Sequence, residues 1–270
     1  MLKQRIITAV ILIPIVIALL IALPPSGFCL LTMLLVLVGA WEWSNLMEIK
    51  RKRGRIFYVA IILFVMIGAL FVPAPLILAI AFVWWLLSLI AILFYPRGSQ
   101  WWGKSLFLRG LMGVLILVPC WASLSYIRMQ SGGLYDLFFL LVLIWGADSM
   151  AYFVGKKWGK TKLAPTVSPG KSLQGLAAAI FFSILLTVIA LGLCQVPLPI
   201  WPWMTALSVV TVCFSVIGDL CESMVKRQAG LKDSGTMLPG HGGWLDRIDS
   251  LTAAAPVFAL GATLLGIYFG

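Results

Sequence analysis

Residues able to bind phosphate and metal are concentrated between positions 218 and 249. If the apolar helix before this segment continues through its start, five polar residues fall on one helix face: Asp219, Glu222, Ser223, Lys226 and Arg227. Asp246 and Asp249 are three residues apart at the start of the next apolar run, so their side chains also share a face. Carboxylates at two neighbouring helix ends can converge on a metal ion, and oxygen ligands suit Mg²⁺. The segment is therefore a candidate magnesium site.

A glycine-rich loop separates the two carboxylate-bearing helices. His241 lies in this loop, and Gly242 and Gly243 allow the backbone to approach a ligand closely. The helix that follows the glycines presents its N-terminal amides, which favour an anion. Four cations surround the loop: Lys226, Arg227, Lys232 and Arg247. A divalent cation, backbone amides and basic side chains in one place are what a nucleoside triphosphate requires.

A second polar segment covers residues 148–175. Asp148 lies within the end of an apolar run, where an acidic side chain is costly and usually functional. Ser168, Lys171 and Ser172 belong to the stretch Ser-Pro-Gly-Lys-Ser directly before another apolar run. This stretch can therefore contact phosphate at the N-terminus of a helix.

Spacing excludes two other kinds of site. A P-loop would require glycine at position 165, where the chain has Pro165, and no strand precedes the motif. The five cysteines are widely spaced without a Cys-x-x-Cys pair, and His241 is the only histidine. A zinc–thiolate site or a disulfide framework is therefore not expected.

Each of these polar residues alone has an ordinary structural explanation. Lys226 and Arg227 are typical of cationic anchors at a membrane surface, and Asp246 is typical of a helix cap. His241 alone is typical of a turn. Membrane topology requires neither the acidic residues nor the glycines, however. The combination between 218 and 249 therefore favours a functional site.

The surrounding sequence is that of a membrane protein. Of the 270 residues, 62% are hydrophobic and 11% are charged, whereas a typical soluble domain has about a quarter charged residues. About nine apolar runs are long enough to cross a bilayer as helices: 6–23, 28–46, 56–72, 76–95, 111–126, 134–153, 173–194, 201–221 and 251–269. We predict an all-α polytopic integral membrane protein with about nine transmembrane helices. We interpret the first run as a retained span because no cleavage site follows it.

The basic residues indicate the orientation in the membrane. Alternate connections between the runs carry every lysine and arginine except Arg128. The positive-inside rule then places the N-terminus and all long loops in the cytoplasm. The same distribution accounts for the net charge of +11, so we expect no nucleic-acid partner.

The two halves of the chain differ in their polar residues. Residues 1–133 contain about five of the apolar runs and only two acidic residues, Glu42 and Glu48, near the end of the second run. Residues 134–270 contain the other seven acidic residues and both polar segments. We therefore interpret 1–133 as a scaffold that faces lipid and 134–270 as the catalytic part.

These motifs resemble those of the phosphatidate cytidylyltransferase family. The signature covers residues 223–249, as Ser-x2-Lys-Arg-x4-Lys-Asp-x-Gly-x2-Leu-Pro-x-His-Gly-Gly-x2-Asp-Arg-Ile-Asp. Two shorter matches are Asp-x2-Ala-Tyr-Phe-x-Gly at 148–155 and Ser-Pro-Gly-Lys-Ser at 168–172. Trp244 departs from the family pattern, which has an aliphatic residue or Phe there, and this difference concerns local packing. The resemblance is strong over the second half and general in character over the first.

The resemblance implies Mg²⁺-dependent transfer of CMP from CTP to phosphatidic acid, with release of pyrophosphate. The nucleophile would be a phosphate oxygen, so catalysis requires positioning and charge neutralisation rather than a strong base. The implied catalytic residues are Asp219, Lys226, Arg227, Asp246, Arg247 and Asp249, and the implied metal ligands are Asp219, Asp246 and Asp249. The implied substrate contacts are Asp148, Ser168, Lys171, Ser172, Ser223, Lys232, His241, Gly242 and Gly243.

The resemblance also implies where the protein works. We expect a multi-pass protein of a bacterial inner membrane, with its active site at the cytoplasmic face of the lipid bilayer. A second cation beside Mg²⁺ and a homodimer are both compatible with the resemblance.

Three alternative functions remain open at this point. A related cytidylyltransferase or a CTP-dependent kinase could act on another lipid. A CDP-alcohol phosphotransferase is disfavoured because its DGxxAR…GxxxDxxxD pattern is absent. A transporter would place polar groups near the bilayer midplane, whereas the acidic residues here cluster at the ends of the apolar runs.

Overall fold

The structure is a computed structural model that describes residues 13–237 and 242–266, and it is built almost entirely from helices. The first half contains α1 (Ile13–Ala22, as far as it is described), α2 (Pro25–Leu46), α3 (Lys52–Ala69), α4 (Ala74–Phe94), α5 (Ser99–Trp102) and α6 (Leu106–Met129). The second half contains α7 (Gly133–Trp158), β1 (Lys162–Ala164), β2 (Ser168–Ser172), α8 (Leu173–Leu193), a 3₁₀ turn (Leu198–Ile200), α9 (Trp201–Gln228) and α10 (Leu245–Leu265). The all-α prediction is confirmed.

Seven helices of the described chain are long and apolar enough to cross a membrane, and they are α2, α4, α6, α7, α8, α9 with its preceding 3₁₀ turn, and α10. The third predicted run forms α3, an 18-residue helix that begins with the basic sequence Lys-Arg-Gly-Arg and is not among the seven. The first predicted run, 6–23, is described only from residue 13. The polytopic membrane character is confirmed, whereas the number of nine spans is not.

The positions where helices begin follow from local chemistry. Proline occupies an early helical position in α2 and in α4, where its missing N–H breaks no hydrogen bond. Ser105 caps α6 by accepting a hydrogen bond from the amide of Leu108, and Ser172 caps α8 by accepting one from Gly175, both at 3.2 Å. Such caps satisfy amides that lack a partner within the helix. Ser172, a predicted substrate contact, therefore also fixes the start of α8.

A short antiparallel hairpin that the sequence pattern did not predict connects α7 and α8. The expectation that no strand precedes Ser-Pro-Gly-Lys-Ser was therefore wrong, and the P-loop stays excluded by Pro165. Lys162 pairs with Ser172 and Ala164 pairs with Ser168, with an irregular register between them. Val167, in the connecting turn, is fully buried. The stretch Ser-Pro-Gly-Lys-Ser thus forms strand β2, which leads directly into α8, and Lys171 lies on this strand.

The last helix, α10, is central to the bundle. It packs on α9 and also on α2, α4 and α6 from the first half of the chain. Small or flat side chains on α10 are completely buried: Ala253, Ala254, Ala255, Phe258 and Ala259. At the closest approach of α9, a methyl group on Gly218 would lie 2.5 Å from the carbonyl oxygen of Asp249. At this point the two helices that carry the predicted metal ligands can therefore approach this closely only because residue 218 has no side chain.

Gly218→Ala should separate α9 from α10 and lower the thermal midpoint measured in detergent. The overlap is with backbone, so the helices must move, and overpacking of this kind costs about 1–3 kcal/mol. Gly68→Ala is the matched control, because a methyl group there meets nothing within 4 Å and alanine is the better helix former. An equal midpoint for the two variants would contradict the proposed close contact.

Candidate active site

Three helices bring predicted carboxylates to one place. The contact at Gly218 puts Asp219 of α9 next to the first turns of α10, and the charge of Asp219 acts on Asp249. The charge of Asp148, from α7, acts on Asp249 as well. The acidic residues that the sequence places far apart therefore form one electrostatic cluster.

The β1–β2 hairpin lies against this cluster and supplies a cation. The Lys171 ammonium is 2.9 Å from Oδ2 of Asp219. Ser223 donates a hydrogen bond to Oδ1 of the same aspartate at 3.2 Å. On the exposed side of α9, Arg227 Nε donates to the carbonyl of Val167 in the hairpin turn at 3.3 Å. The structure thus joins the two polar segments that the sequence analysis singled out.

Lys226 is buried between two carboxylates. Its ammonium lies 3.3 Å from Oε1 of Glu222, one helical turn earlier, and donates a hydrogen bond to Oδ1 of Asp246. The Lys226 side chain is 10% exposed and the Asp246 side chain 8% exposed. A buried ion pair of this kind is costly to break from one side, because the remaining charge is left without compensation. Lys226 therefore links the end of α9 to the start of α10.

The second oxygen of Asp246 holds the loop between α9 and α10. Oδ2 accepts hydrogen bonds from the amide of Gly243 at 2.8 Å and from the amide and hydroxyl of Ser234, both at 3.0 Å. Gly242 has a φ of 82°, in the left-handed region that favours glycine. A side chain there would also approach Asp246 to 2.9 Å. The two glycines thus let the loop backbone close onto the aspartate.

The N-terminal amides of α10, which we expected to be available to a substrate anion, already hold an anion from the first half of the chain. Glu42 of α2 accepts hydrogen bonds from the amides of Trp244 at 3.0 Å and Leu245 at 2.7 Å. Glu42 belongs to residues 1–133, which we interpreted as a scaffold. The rule that identified Asp148, that an acidic residue within an apolar run is usually functional, applies equally to Glu42.

Glu222 is a second acidic residue that the predicted site did not include. It is 3% exposed, and neither of its carboxylate oxygens has a hydrogen-bond partner in the part of the chain that the structure describes. The charges of Asp249, Asp246 and Asp219 act on it, and Lys226 is its nearest cation. In the described part of the chain, Lys171 pairs with Asp219 and Lys226 pairs with Glu222 and Asp246, so these ion pairs join three carboxyl groups to two lysines.

One cavity connects the polar cluster to an apolar region. Its volume is about 1000 Å³. Predicted site residues line its polar part: Asp148, Ser168, Lys171, Ser172, Asp219, Asp246, Arg247 and Asp249. Side chains from α1, α2, α6 and α7 line its apolar part, among them Leu20, Phe28, Leu35, Leu124 and Leu141. The cavity can therefore accept a ligand with one charged and one hydrocarbon end.

The remaining predicted residues lie at the edge of this site or outside the described residues. Lys232 is exposed on the loop, and Arg247 is exposed where it lines the cavity. Gly243 is buried. It has no room for a side chain, because a methyl group there would overlap Ser234 and Glu42. His241 lies outside the described residues, so its predicted contact stays a prediction.

The donor set fits a hard divalent cation whose coordination is completed by substrate. Among residues 13–237 and 242–266, no group of three or more His, Cys, Asp or Glu side chains is arranged to hold a metal ion. Mg²⁺ usually takes one or two carboxylates together with phosphate oxygens and water. The carboxylates of Asp219, Asp246 and Asp249 line the cavity, and Glu222 next to them has oxygens without hydrogen bonds. Oxygen-only donors with excess negative charge suit such an ion.

Comparison with known sequences identifies the family. The cytidylyltransferase family model matches residues 3–265. The chain belongs to the cytidylyltransferase family. A phosphatidate cytidylyltransferase of Pseudomonas aeruginosa is 44% identical over 96% of this chain and 96% of its own length. A phosphatidate cytidylyltransferase of Haemophilus influenzae is 37% identical over 96% of this chain and 98% of its own length. One from Bacillus subtilis is 42% identical over 48% of this chain and 48% of its own length. The predictions of this family and of a nucleotidyltransferase are confirmed.

Lys226→Met should destabilise this cytidylyltransferase strongly. The substitution leaves Glu222 and Asp246 buried without their cation, which costs about 3–5 kcal/mol. The thermal midpoint in detergent, read by loss of monodisperse protein, measures the effect. Lys232→Met is the control, because Lys232 is exposed and should leave the midpoint unchanged. Equal midpoints for the two variants would show that the Lys226 pairs contribute little.

Proposed function

We propose that this cytidylyltransferase transfers CMP from CTP to phosphatidate and forms CDP-diacylglycerol and pyrophosphate. The observation that carries the proposal is one continuous cavity with a charged end at α9 and α10 and an apolar end formed by α1, α2, α6 and α7. Phosphatidate has the same division, with a phosphate at one end and hydrocarbon at the other. The proteins that are similar over 96% of the chain carry the name of this activity.

The proposed reaction needs no strong base. An anionic oxygen of phosphatidate attacks the α-phosphorus of CTP, a new P–O bond forms, and the bond from the α-phosphorus to the bridging oxygen breaks. Pyrophosphate leaves with the bonding electrons, so charge and atoms balance without a proton transfer. The contribution of the protein is then to align two anions and to offset their repulsion.

Mg²⁺ is the proposed cofactor. One or two carboxylates drawn from Asp219, Asp246 and Asp249 would hold it at a time, with phosphate oxygens and water completing its coordination. When bound, the ion would neutralise phosphate charge and polarise the reacting phosphorus. The excess of carboxylates over paired cations around Glu222 supports this assignment. A second cation would act on the same excess of negative charge.

The remaining residues divide between holding the site together and holding substrate. We assign Lys171, Arg247, Lys232 and Arg227 to the phosphates of CTP and phosphatidate, and Lys226 to the carboxylates that it already pairs with. Asp148, Ser168, Ser172, Ser223, His241, Gly242 and Gly243 are the proposed further contacts to the substrates. The site would lie at the cytoplasmic face of a bacterial inner membrane, because the basic loops lie on its side of the bundle. A homodimer stays a prediction.

The activity is tested with purified protein in detergent, labelled CTP and phosphatidate, with and without Mg²⁺. We expect labelled CDP-diacylglycerol only when the metal is present. A parallel panel of lipid alcohols, lipid phosphates and polyprenols tests the alternative substrate. Label in one of these lipids and none in phosphatidate would refute the proposed substrate and leave the family unchanged.

Asp219→Asn should lower turnover by about 100-fold or more, since one charge that positions the metal and Lys171 is lost. Glu48→Gln is the matched control, because its carboxylate is half exposed, pairs with Arg109 and does not line the cavity. Both variants should remain in the membrane fraction and keep a monodisperse profile in detergent. Turnover of Asp219→Asn within a factor of about two of the control would contradict the assigned role.

A further inference from the structure

A buried carboxylate from the first half of the chain occupies the turn that opens α10. Glu42 is 5% exposed and lies near the end of α2. Oε1 accepts from the Trp244 amide at 3.0 Å, and Oε2 accepts from the Leu245 amide at 2.7 Å and from the Ser234 hydroxyl at 3.0 Å. Hydrogen bonds to an ionised acceptor are about twice as strong as neutral ones, and a helix N-terminus favours an anion.

The contacts of Glu42 lead directly to the carboxylate cluster. The Ser234 hydroxyl lies 3.0 Å from Glu42 Oε2 and 3.0 Å from Asp246 Oδ2, so its single proton is shared between the two carboxylates. Asp246 in turn pairs with Lys226. A shift of Glu42 would therefore move Ser234, and with it the hydrogen bonds that orient Asp246.

A second contact from α2 holds the same part of the loop. Asn45, three residues after Glu42, donates a hydrogen bond to the carbonyl of Ser234 at 3.2 Å. Arg55 of α3 donates to Oδ1 of Asn45 at 2.7 Å and fixes the orientation of that amide. Ser234 is thus held through its hydroxyl, its amide and its carbonyl by three different residues.

Two glycines of the loop leave the space that the Glu42 carboxylate occupies. A methyl group on Gly235 would lie 2.5 Å from Glu42 Oε1, and one on Gly243 would lie 2.5 Å from Oε2. The family signature between 223 and 249 therefore includes two glycines that leave room for the Glu42 carboxylate. Glu42 lies 192 positions before its hydrogen-bond partner Ser234 and 203 positions before its partner Leu245.

We propose that Glu42 is a positioning residue for substrate binding: it fixes the α9–α10 loop and the first turn of α10, so that Asp246 and Arg247 face the cavity in one arrangement. The inference rests on the proposed function for its kinetic part, whereas the anchoring of the loop does not depend on it. Glu42 does not line the cavity, so its effect on substrate passes through the residues that it holds.

Glu42→Gln is the direct test. The amide cannot accept at both ends, so at least one of the three hydrogen bonds becomes a contact between two donors. We expect the KM for CTP, the KM for phosphatidate or both to rise about tenfold or more, because Arg247 is assigned to the phosphates of both substrates. Glu48→Gln removes the other acidic side chain of the first half, at a site 56% exposed, and should leave both KM values unchanged.

Limited trypsin digestion in detergent gives a readout that does not depend on activity. Lys232 is exposed in the loop, and we expect cleavage after it to be several-fold faster in Glu42→Gln than in the wild type or Glu48→Gln. Ser234→Ala removes the bridge between the two carboxylates but keeps the α10 contacts. Ser234→Ala should raise KM and speed cleavage after Lys232 as Glu42→Gln does, but by smaller factors. It replaces Glu42→Gln as the test if that variant does not fold.

Two results would overturn the proposal. The first is wild-type KM values for both substrates together with wild-type cleavage after Lys232. The second is a lower yield of active enzyme with both KM values unchanged, which would make Glu42 a residue of stability alone. A wild-type protein that forms no CDP-diacylglycerol would refute the proposed function, and the rate of cleavage would still decide whether Glu42 holds the loop.

Discussion

The structure depends on an imbalance of charge where α9 meets α10. Asp219, Glu222, Asp246 and Asp249 lie together with Asp148 nearby. Among the described residues, Lys171 forms an ion pair with Asp219, and Lys226 forms ion pairs with Glu222 and Asp246. Burying charge without full compensation is unfavourable, so the surrounding helices must hold the carboxylates in place. A metal ion and the phosphates that accompany it would complete the balance, which makes substrate binding part of the same electrostatic arrangement.

The two halves of the chain are joined by the residues that position this cluster. Alanines along α10 and the bare backbone at Gly218 allow α9 and α10 to approach, while α2, α4 and α6 pack on the other sides of α10. Glu42 extends the contact from packing to hydrogen bonding. The first half is therefore more than a lipid-facing scaffold, although the division of roles between 1–133 and 134–270 stays a prediction.

Most of the architecture follows from the sequence. In lipid, an apolar run of about 20 residues can hydrogen-bond its own backbone N–H and C=O groups only by forming a helix. The meeting of Asp148, Lys171 and Asp219 also agrees with the motifs that predicted it. The hairpin was missed because its strands are three and five residues long, too short for an alternating pattern. The role of Glu42 could not be read from neighbouring residues, since its partners are 192 to 203 positions away. Likewise, helical spacing placed Glu222 on the correct face, but only packing shows that its oxygens lack hydrogen bonds.

The most direct test of the charge imbalance is the thermal midpoint of wild type and Asp249→Asn in detergent, first in EDTA and then with rising Mg²⁺. The asparagine can keep the hydrogen bond that Asp249 accepts from Ser250 but cannot carry a negative charge. We expect Asp249→Asn to have the higher midpoint in EDTA and the smaller increase with Mg²⁺, because less repulsion remains for the ion to relieve. A lower midpoint in EDTA together with an undiminished response to Mg²⁺ would contradict the presence of excess negative charge at this site.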